Sequence, residues 1–174
     1  MAAADYPNHY EQALAGWLMD NRVQFVPVDQ QKRVIFSRSK MKSFDFLLYP
    51  RSSTREVIVA EAKGRKFSGS SLAGRPSLQC WVTMEDVRGL LGWEDVFGSG
   101  YTGAFVFVYC FEKIDVDPDK WQIYEFDDRR YFFVMVMLDD YRKFMKIRSR
   151  KWQTVTLSTE NFRSCMKPIE KVLM

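Results

Sequence analysis

Ser43-Phe44-Asp45-Phe46-Leu47-Leu48-Tyr49 and, after a turn, Val57-Ile58-Val59-Ala60-Glu61-Ala62-Lys63-Gly64-Arg65 decide how this chain is read. Both are apolar, β-prone runs, and Pro50-Arg51-Ser52-Ser53-Thr54 between them is rich in turn formers. The pattern predicts a β-hairpin with strands over 44–49 and 56–63. Side chains alternate faces along a strand, so Glu61 and Lys63 project to one side, about 7 Å apart. If the strands pair, Asp45 reaches that side as well. Two carboxylates and an ammonium then stand at the end of an apolar sheet, where charges are costly unless they pair or bind an ion. Two carboxylates, a backbone carbonyl and waters suit octahedral Mg²⁺. A neighbouring lysine can orient a phosphate or help to deprotonate a metal-bound water. The plainer alternative is an ordinary strand-edge acid at Asp45 and a surface ion pair between Glu61 and Lys63, which contributes little stability. The apolar Val57–Ala60 run leading directly into Glu61 favours a functional site.

Upstream, Tyr10, Ala13, Leu14, Trp17 and Leu18 fall at i, i+3, i+4, i+7 and i+8, the stripe of an amphipathic helix. Asp5 and Asn8 are candidate caps, with Pro7 suited to a first turn. Glu11 rides on this helix, and Asn8-x-x-Glu11 also has capping-box spacing, so its carboxylate has a local use available. Residues 23–28 read as a short strand and 29–42 as a polar, basic loop or irregular edge. Downstream, 64–77 holds three glycines, four serines and a proline, and predicts a long loop. A second helix is expected over 77–91, ended by Gly92 and the Gly98-Ser99-Gly100 turn. Residues 104–111 suit a central strand buried on both faces. Strands are expected over 121–126, 131–138 and 152–157, and a helix over 139–147. Ser158 caps a last helix that Pro168 breaks. This order predicts an α/β fold, a mixed central β-sheet flanked by helices on both sides. The 174 residues are expected to form one domain, 1–174.

In Asp45 and Glu61-Ala62-Lys63 the chain resembles the PD-(D/E)xK nuclease superfamily of restriction-endonuclease-like and Holliday-junction-resolvase-like folds. That pattern places an acid on a hairpin strand and Glu-x-Lys on the next. Many members carry a glutamate on the preceding helix, where Glu11 stands, and some a glutamine on the helix after Glu-x-Lys, where Gln79 would stand. The residue before Asp45 is Phe44 rather than proline, and Thr83 stands four residues after Gln79, so the Gln-x-x-x-Tyr signature of recombination-type exonucleases is absent. The resemblance covers about residues 8–110 and implies a restriction-endonuclease-like core and a divalent-metal-dependent nuclease acting on DNA. It implies that Asp45, Glu61 and the Ala62 carbonyl hold Mg²⁺ or Mn²⁺ with help from Glu11, and that Lys63 positions or activates the attacking water. It also implies a homodimer. The absence of an obvious channel-forming addition favours an endonuclease. The rival is a non-catalytic module of the same fold that holds nucleic acid or a protein partner.

Composition agrees with an ordered chain. Hydrophobic residues are 47% and charged residues 28% of the sequence, which excludes intrinsic disorder. The net charge of +4 is compatible with a nucleic-acid partner. Arg65, Lys66 and Arg75 flank the Gly/Ser stretch beside the acidic site. Arg148, Arg150 and Lys151 lie in a run where six of ten residues, 142–151, are basic, and Trp152 at its edge offers a stacking surface. A solvated face is the plainer reading of such a run. One histidine, His9, and three scattered cysteines cannot build a typical zinc site. No Gly-x-Ser-x-Gly elbow, Walker loop or Gly-x-Gly-x-x-Gly fingerprint occurs. The beginning of the chain lacks the pattern of a signal peptide, and the longest apolar run, 131–138, is strand length. A cytoplasmic location with reduced thiols and no membrane partner is expected.

Overall fold

The computed structural model describes residues 8–29, 41–52, 55–67, 78–111 and 122–174. Its main sheet runs in the order β1 (Gln24–Pro27), β2 (Phe46–Tyr49), β3 (Val57–Lys66), β5 (Tyr101–Phe111), β7 (Arg129–Met137) and β10 (Lys167–Pro168), with β6 (Tyr124–Phe126) also on β7. β1, β2 and β3 are antiparallel neighbours, with Phe46 opposite Ala60. β3 and β5 run parallel over ten residue pairs, Val57–Tyr101 to Lys66–Cys110, whereas β5 and β7 are antiparallel. A parallel pair needs a crossover, and α2 (Met84–Phe97) supplies it.

Strand alternation divides the core in two. Val59, Phe105, Phe107, Tyr109, Phe132 and Val134 point to the face covered by α2, α3 (Leu138–Phe144) and α4 (Thr159–Cys165). Ile58, Ala60, Val106, Val108, Phe133 and Met135 point to the face covered by α1 (His9–Asp20) and α5 (Ile169–Leu173). The expected mixed sheet with helices on both faces is the observed architecture. A second, three-stranded sheet joins β4 (Val82–Thr83), β9 (Thr154–Thr156) and β8 (Lys146–Ser149), and places the β8–β9 hairpin against the start of α2.

Three expectations need correction. The loop expected from Gly64 begins too early, because β3 continues through Gly64, Arg65 and Lys66 on the ladder of β5. Gly64 serves close packing there: a Cβ would lie 2.2 Å from the Tyr10 ring of α1. The helix expected over 77–91 begins at Met84 and ends at Phe97. Thr83 sets its start, since its hydroxyl accepts from the Asp86 N–H while Asp86 accepts from the Thr83 N–H, a capping box. Gly92 lies inside this helix, and Gly98 ends it with φ of 76°. Finally, 139–147 holds the shorter α3 followed by β8, whose Lys146–Ser149 pair with β9.

Candidate active site

Asp45 immediately precedes β2, next to the Phe46–Ala60 pair that ends the β2–β3 ladder. Its backbone N–H donates to the Ala60 carbonyl at 3.0 Å, and its Oδ2 accepts from the Ala62 N–H at 2.8 Å. Past the last β2 partner, β3 thus has a side-chain carboxylate where a strand would otherwise bond. The N–H and C=O of a strand residue project to the same edge, so the Ala62 carbonyl faces the Asp45 side as well. Asp45 and Glu61 are both buried. Hydrophobic pairing of β2 and β3 therefore brings two acids together at the point where the strands part.

Two ammoniums answer these charges. Lys63, two residues along β3 from Glu61, donates to Glu61 Oε1 at 2.9 Å and pairs with Asp86 Oδ2 at 2.9 Å. Lys42 also donates to Glu61 Oε1 at 2.9 Å and to Asp86 Oδ1. Lys42, Glu61, Lys63 and Asp86 thus close a ring of alternating charge. Burial raises the Asp86 pKa, but Lys63 and Lys42 outweigh that effect and bring it down to about 2. Burial likewise opposes the Lys42 charge, and Glu61 and Asp86 overcome it, so the ammonium is held above its ordinary pKa. Helix α2 builds one side of the ring. Asp86, Gly89 and Trp93 recur at i, i+3 and i+7, and the Trp93 indole N–H donates to the Lys42 carbonyl at 2.8 Å. Gly89 admits the Lys42 backbone, whose oxygen would be 3.2 Å from a Cβ there.

Sequence reasoning missed Lys42 and Asp86. The Thr83-x-x-Asp86 capping spacing was the available signal for Asp86. Lys42 carried none, because its partners Glu61 and Asp86 lie 19 and 44 residues away in the sequence. A cleft of about 340 Å³ opens beside the ring, lined by Met41, Lys42, Glu85, Arg88, Gly89 and Gln153.

Asp45, Glu61 and the Ala62 carbonyl form an all-oxygen donor set that fits Mg²⁺ or Mn²⁺ with waters completing the shell. Among the described residues no three acidic, histidine or cysteine side chains converge to hold an ion by themselves, so the carbonyl and waters are needed.

The other candidates come from other elements. Glu11 is buried in the first turn of α1, the helix that covers the sheet on the side away from α2, and its Oε1 accepts from the Asn8 side chain at 3.0 Å. Gln79 is exposed and lies outside any helix or strand, five residues before α2, and its Oε1 accepts from the Trp81 indole at 3.4 Å. The helix position expected for it belongs to residues after Thr83, since the capping box fixes the helix start there. His9 bonds Tyr131 through Nδ1 at 2.8 Å, and burial lowers its pKa. Arg65 projects to the same face as Glu61 and Lys63, and its guanidinium lies 4.2 Å over the Trp81 ring. Arg148 from β8 reaches the same ring at 5.1 Å. Lys66, Arg150 and Lys151 are exposed, and Arg75 lies outside the described residues. Cys80, Cys110 and Cys165 are buried and form no disulfide. Among the described residues no helix is long and apolar enough to cross a membrane.

No protein-family model and no curated protein sequence matches the chain. Among solved structures it is similar to Hjc of Archaeoglobus fulgidus, a Holliday junction resolvase from an archaeal hyperthermophile. That similarity has a TM-score of 0.51 and 10% identity, and covers 93% of this chain and 90% of that one. The chain therefore has a restriction-endonuclease-like fold, a mixed central sheet with helices on both faces and the acidic site where β2 and β3 part.

Proposed function

We propose that the chain is a divalent-metal-dependent nuclease that hydrolyses DNA phosphodiester bonds endonucleolytically, acting as a homodimer. The observation that carries this reading is the Asp45 carboxylate accepting from the Ala62 N–H, beside Glu61 on β3, with Lys63 donating to Glu61. Asp45, Glu61 and the Ala62 carbonyl would hold Mg²⁺ or Mn²⁺, with Glu11 assisting from α1 and Gln79 at the margin. The ion supplies Lewis acidity toward a phosphodiester oxygen. Lys63, paired to two carboxylates, is set as a donor that orients the attacking water or stabilises charge growing on the phosphate. Asp86 holds the Lys63 ammonium in place. Arg65, Lys66, Arg75, Arg148, Arg150 and Lys151 supply phosphate contacts that draw DNA to the site.

The test is cleavage of labelled DNAs of several forms with Mg²⁺ or Mn²⁺, beside Asp45→Ala and Lys63→Ala. The parent cleaves, EDTA stops it, and each variant loses at least a hundredfold, the scale of losing one such group. Cleavage that survives in both variants overturns the assignment of this site. One observation favours a second reading, a binding module without chemistry: Glu61 Oε1 already accepts from both Lys42 and Lys63. On that reading the parent cleaves nothing and binds DNA equally with and without EDTA.

A further inference from the structure

The β8–β9 hairpin is anchored in the core by Val155 of β9 and bonds directly to the start of the active-site helix. The Met84 N–H donates to the Gln153 carbonyl at 2.8 Å, and Thr83 pairs with Thr154. Its tip carries Trp152, 69% exposed, with the Lys151 ammonium 5.3 Å from the ring centre. The Trp152 N–H donates to Ser149 Oγ at 3.3 Å, and Gln153 adopts a left-handed φ of 47°. The turn is thus closed by bonds within its own residues, the Gln153 N–H donating to the Arg150 carbonyl at 3.3 Å as well, and presents the indole outward. Lys146, Arg148, Arg150 and Lys151 are all exposed within this hairpin, and no acidic residue occurs from Lys146 to Ser158. Gln153 at the base of the turn lines the 340 Å³ cleft together with Lys42, which bonds Glu61. A cleft that Arg88 and one carboxylate, Glu85, also line therefore leads from the base of this cationic, aromatic tip to the Lys42 side of the charge ring.

We infer that this hairpin grips unpaired DNA: a base stacks on Trp152, while Lys146, Arg150 and Lys151 take the flanking phosphates. The strand then runs along the cleft past Gln153 and Arg88 toward Lys42. The occupant is a polyanion because the tip carries only positive charge. It is unpaired because within a continuous duplex both faces of each base are already covered, leaving none for an exposed indole. The inference deepens the nuclease reading and rests on it for what happens to the strand. It names the substrate as DNA with single-stranded nucleotides, such as a tail or an open branch.

The test uses the full chain in EDTA, so that binding is measured without chemistry. Labelled probes are a single-stranded DNA, the same sequence as RNA, a blunt duplex, and a duplex with a single-stranded tail. The parent binds the single strand and tailed duplex about tenfold more tightly than the blunt duplex. Trp152→Ala removes that preference, losing about tenfold on the unpaired probes alone, whereas Trp152→Phe keeps most of it. Neutralising Arg150 and Lys151 together lowers the slope of log affinity against log salt by about 1.4. Thermal melts establish that the variants, altered at exposed positions, remain folded. Equal losses by Trp152→Ala on all probes, or no loss on any, overturn the inference. So does absence of salt-sensitive binding to every probe, which would assign the tip to a protein partner. Tighter binding of RNA than of DNA overturns the choice of nucleic acid. Failure of the nuclease reading looks different: the Trp152-dependent preference persists while no probe is cleaved when Mg²⁺ is restored.

Discussion

Asp86 is where the electrostatics of the ring become measurable. Its carboxyl titrates near 2 in the folded chain, below its ordinary value of 3.8, because Lys63 and Lys42 outweigh the cost of its burial. A group whose pKa falls on folding stabilises the fold above its unfolded pKa and loses that contribution as the pH drops through the folded one. The contribution is fully present above about pH 4, amounts to roughly 2 kcal/mol, and disappears toward pH 2. Asp86→Asn is expected to cost about 2–4 kcal/mol at pH 7, since two ammoniums lose a shared partner. The gap between parent and variant should narrow below pH 4, which urea titrations at pH 7 and pH 2.5 would check. A gap unchanged between the two would show that Asp86 acts only as a helix cap.

Two contacts between elements decide how the site is held. Thr83 starts α2 and thereby fixes Asp86 at its N-terminal turn. Thr83→Ala should cost about 1 kcal/mol in chemical denaturation, with Thr83→Ser recovering most of it. On the opposite face, Tyr10 lies on Gly64 so closely that an added Cβ meets ring atoms at 2.2 and 2.3 Å. Those atoms are at the root of the ring, so it cannot simply swing aside. Gly64→Ala is therefore expected to push α1 away from β3 at a cost of about 1–3 kcal/mol. If Glu11 serves the ion, the same variant weakens Mg²⁺ binding beyond what its lost stability explains, as isothermal titration would show.

Taken across the whole molecule, the nuclease reading makes ion binding depend on folding, because the Asp45 carboxylate reaches Ala62 beside Glu61 only when β2 and β3 are paired. A ligand that binds only the folded chain stabilises it by an amount set by its concentration relative to Kd, about 2.7 kcal/mol at a hundredfold excess. Mg²⁺ or Mn²⁺ should raise the Tm of the parent, and Asp45→Asn with Glu61→Gln should remove the increase. An equal rise in that double variant would place the ion elsewhere. This thermal readout is independent of cleavage, and so separates an ion site from an active one.

The hairpin and its acids were legible in the chain, because strand alternation and hydrophobic pairing are local rules: they put Asp45, Glu61 and Lys63 on one side before any tertiary contact is known. The mixed α/β sheet covered on both faces was legible for the same reason, in the two-sided apolar run at 104–111 and the helical stripe of residues 10–18. Its limit appears at Gly64, where composition reads as a loop but ten ladder pairs with β5 hold an extended strand. Helix α2 was displaced in the same way, because a capping box outranks the less regular apolar spacing at its start. Only the tertiary structure brought Lys42 and Asp86 to Glu61 and Lys63, and set a basic, Trp-tipped hairpin beside the same cleft. Their meeting depends on how α2 crosses from β3 to β5 and on where β9 joins β4. Those are long-range packing outcomes, and no spacing within any one segment encodes them.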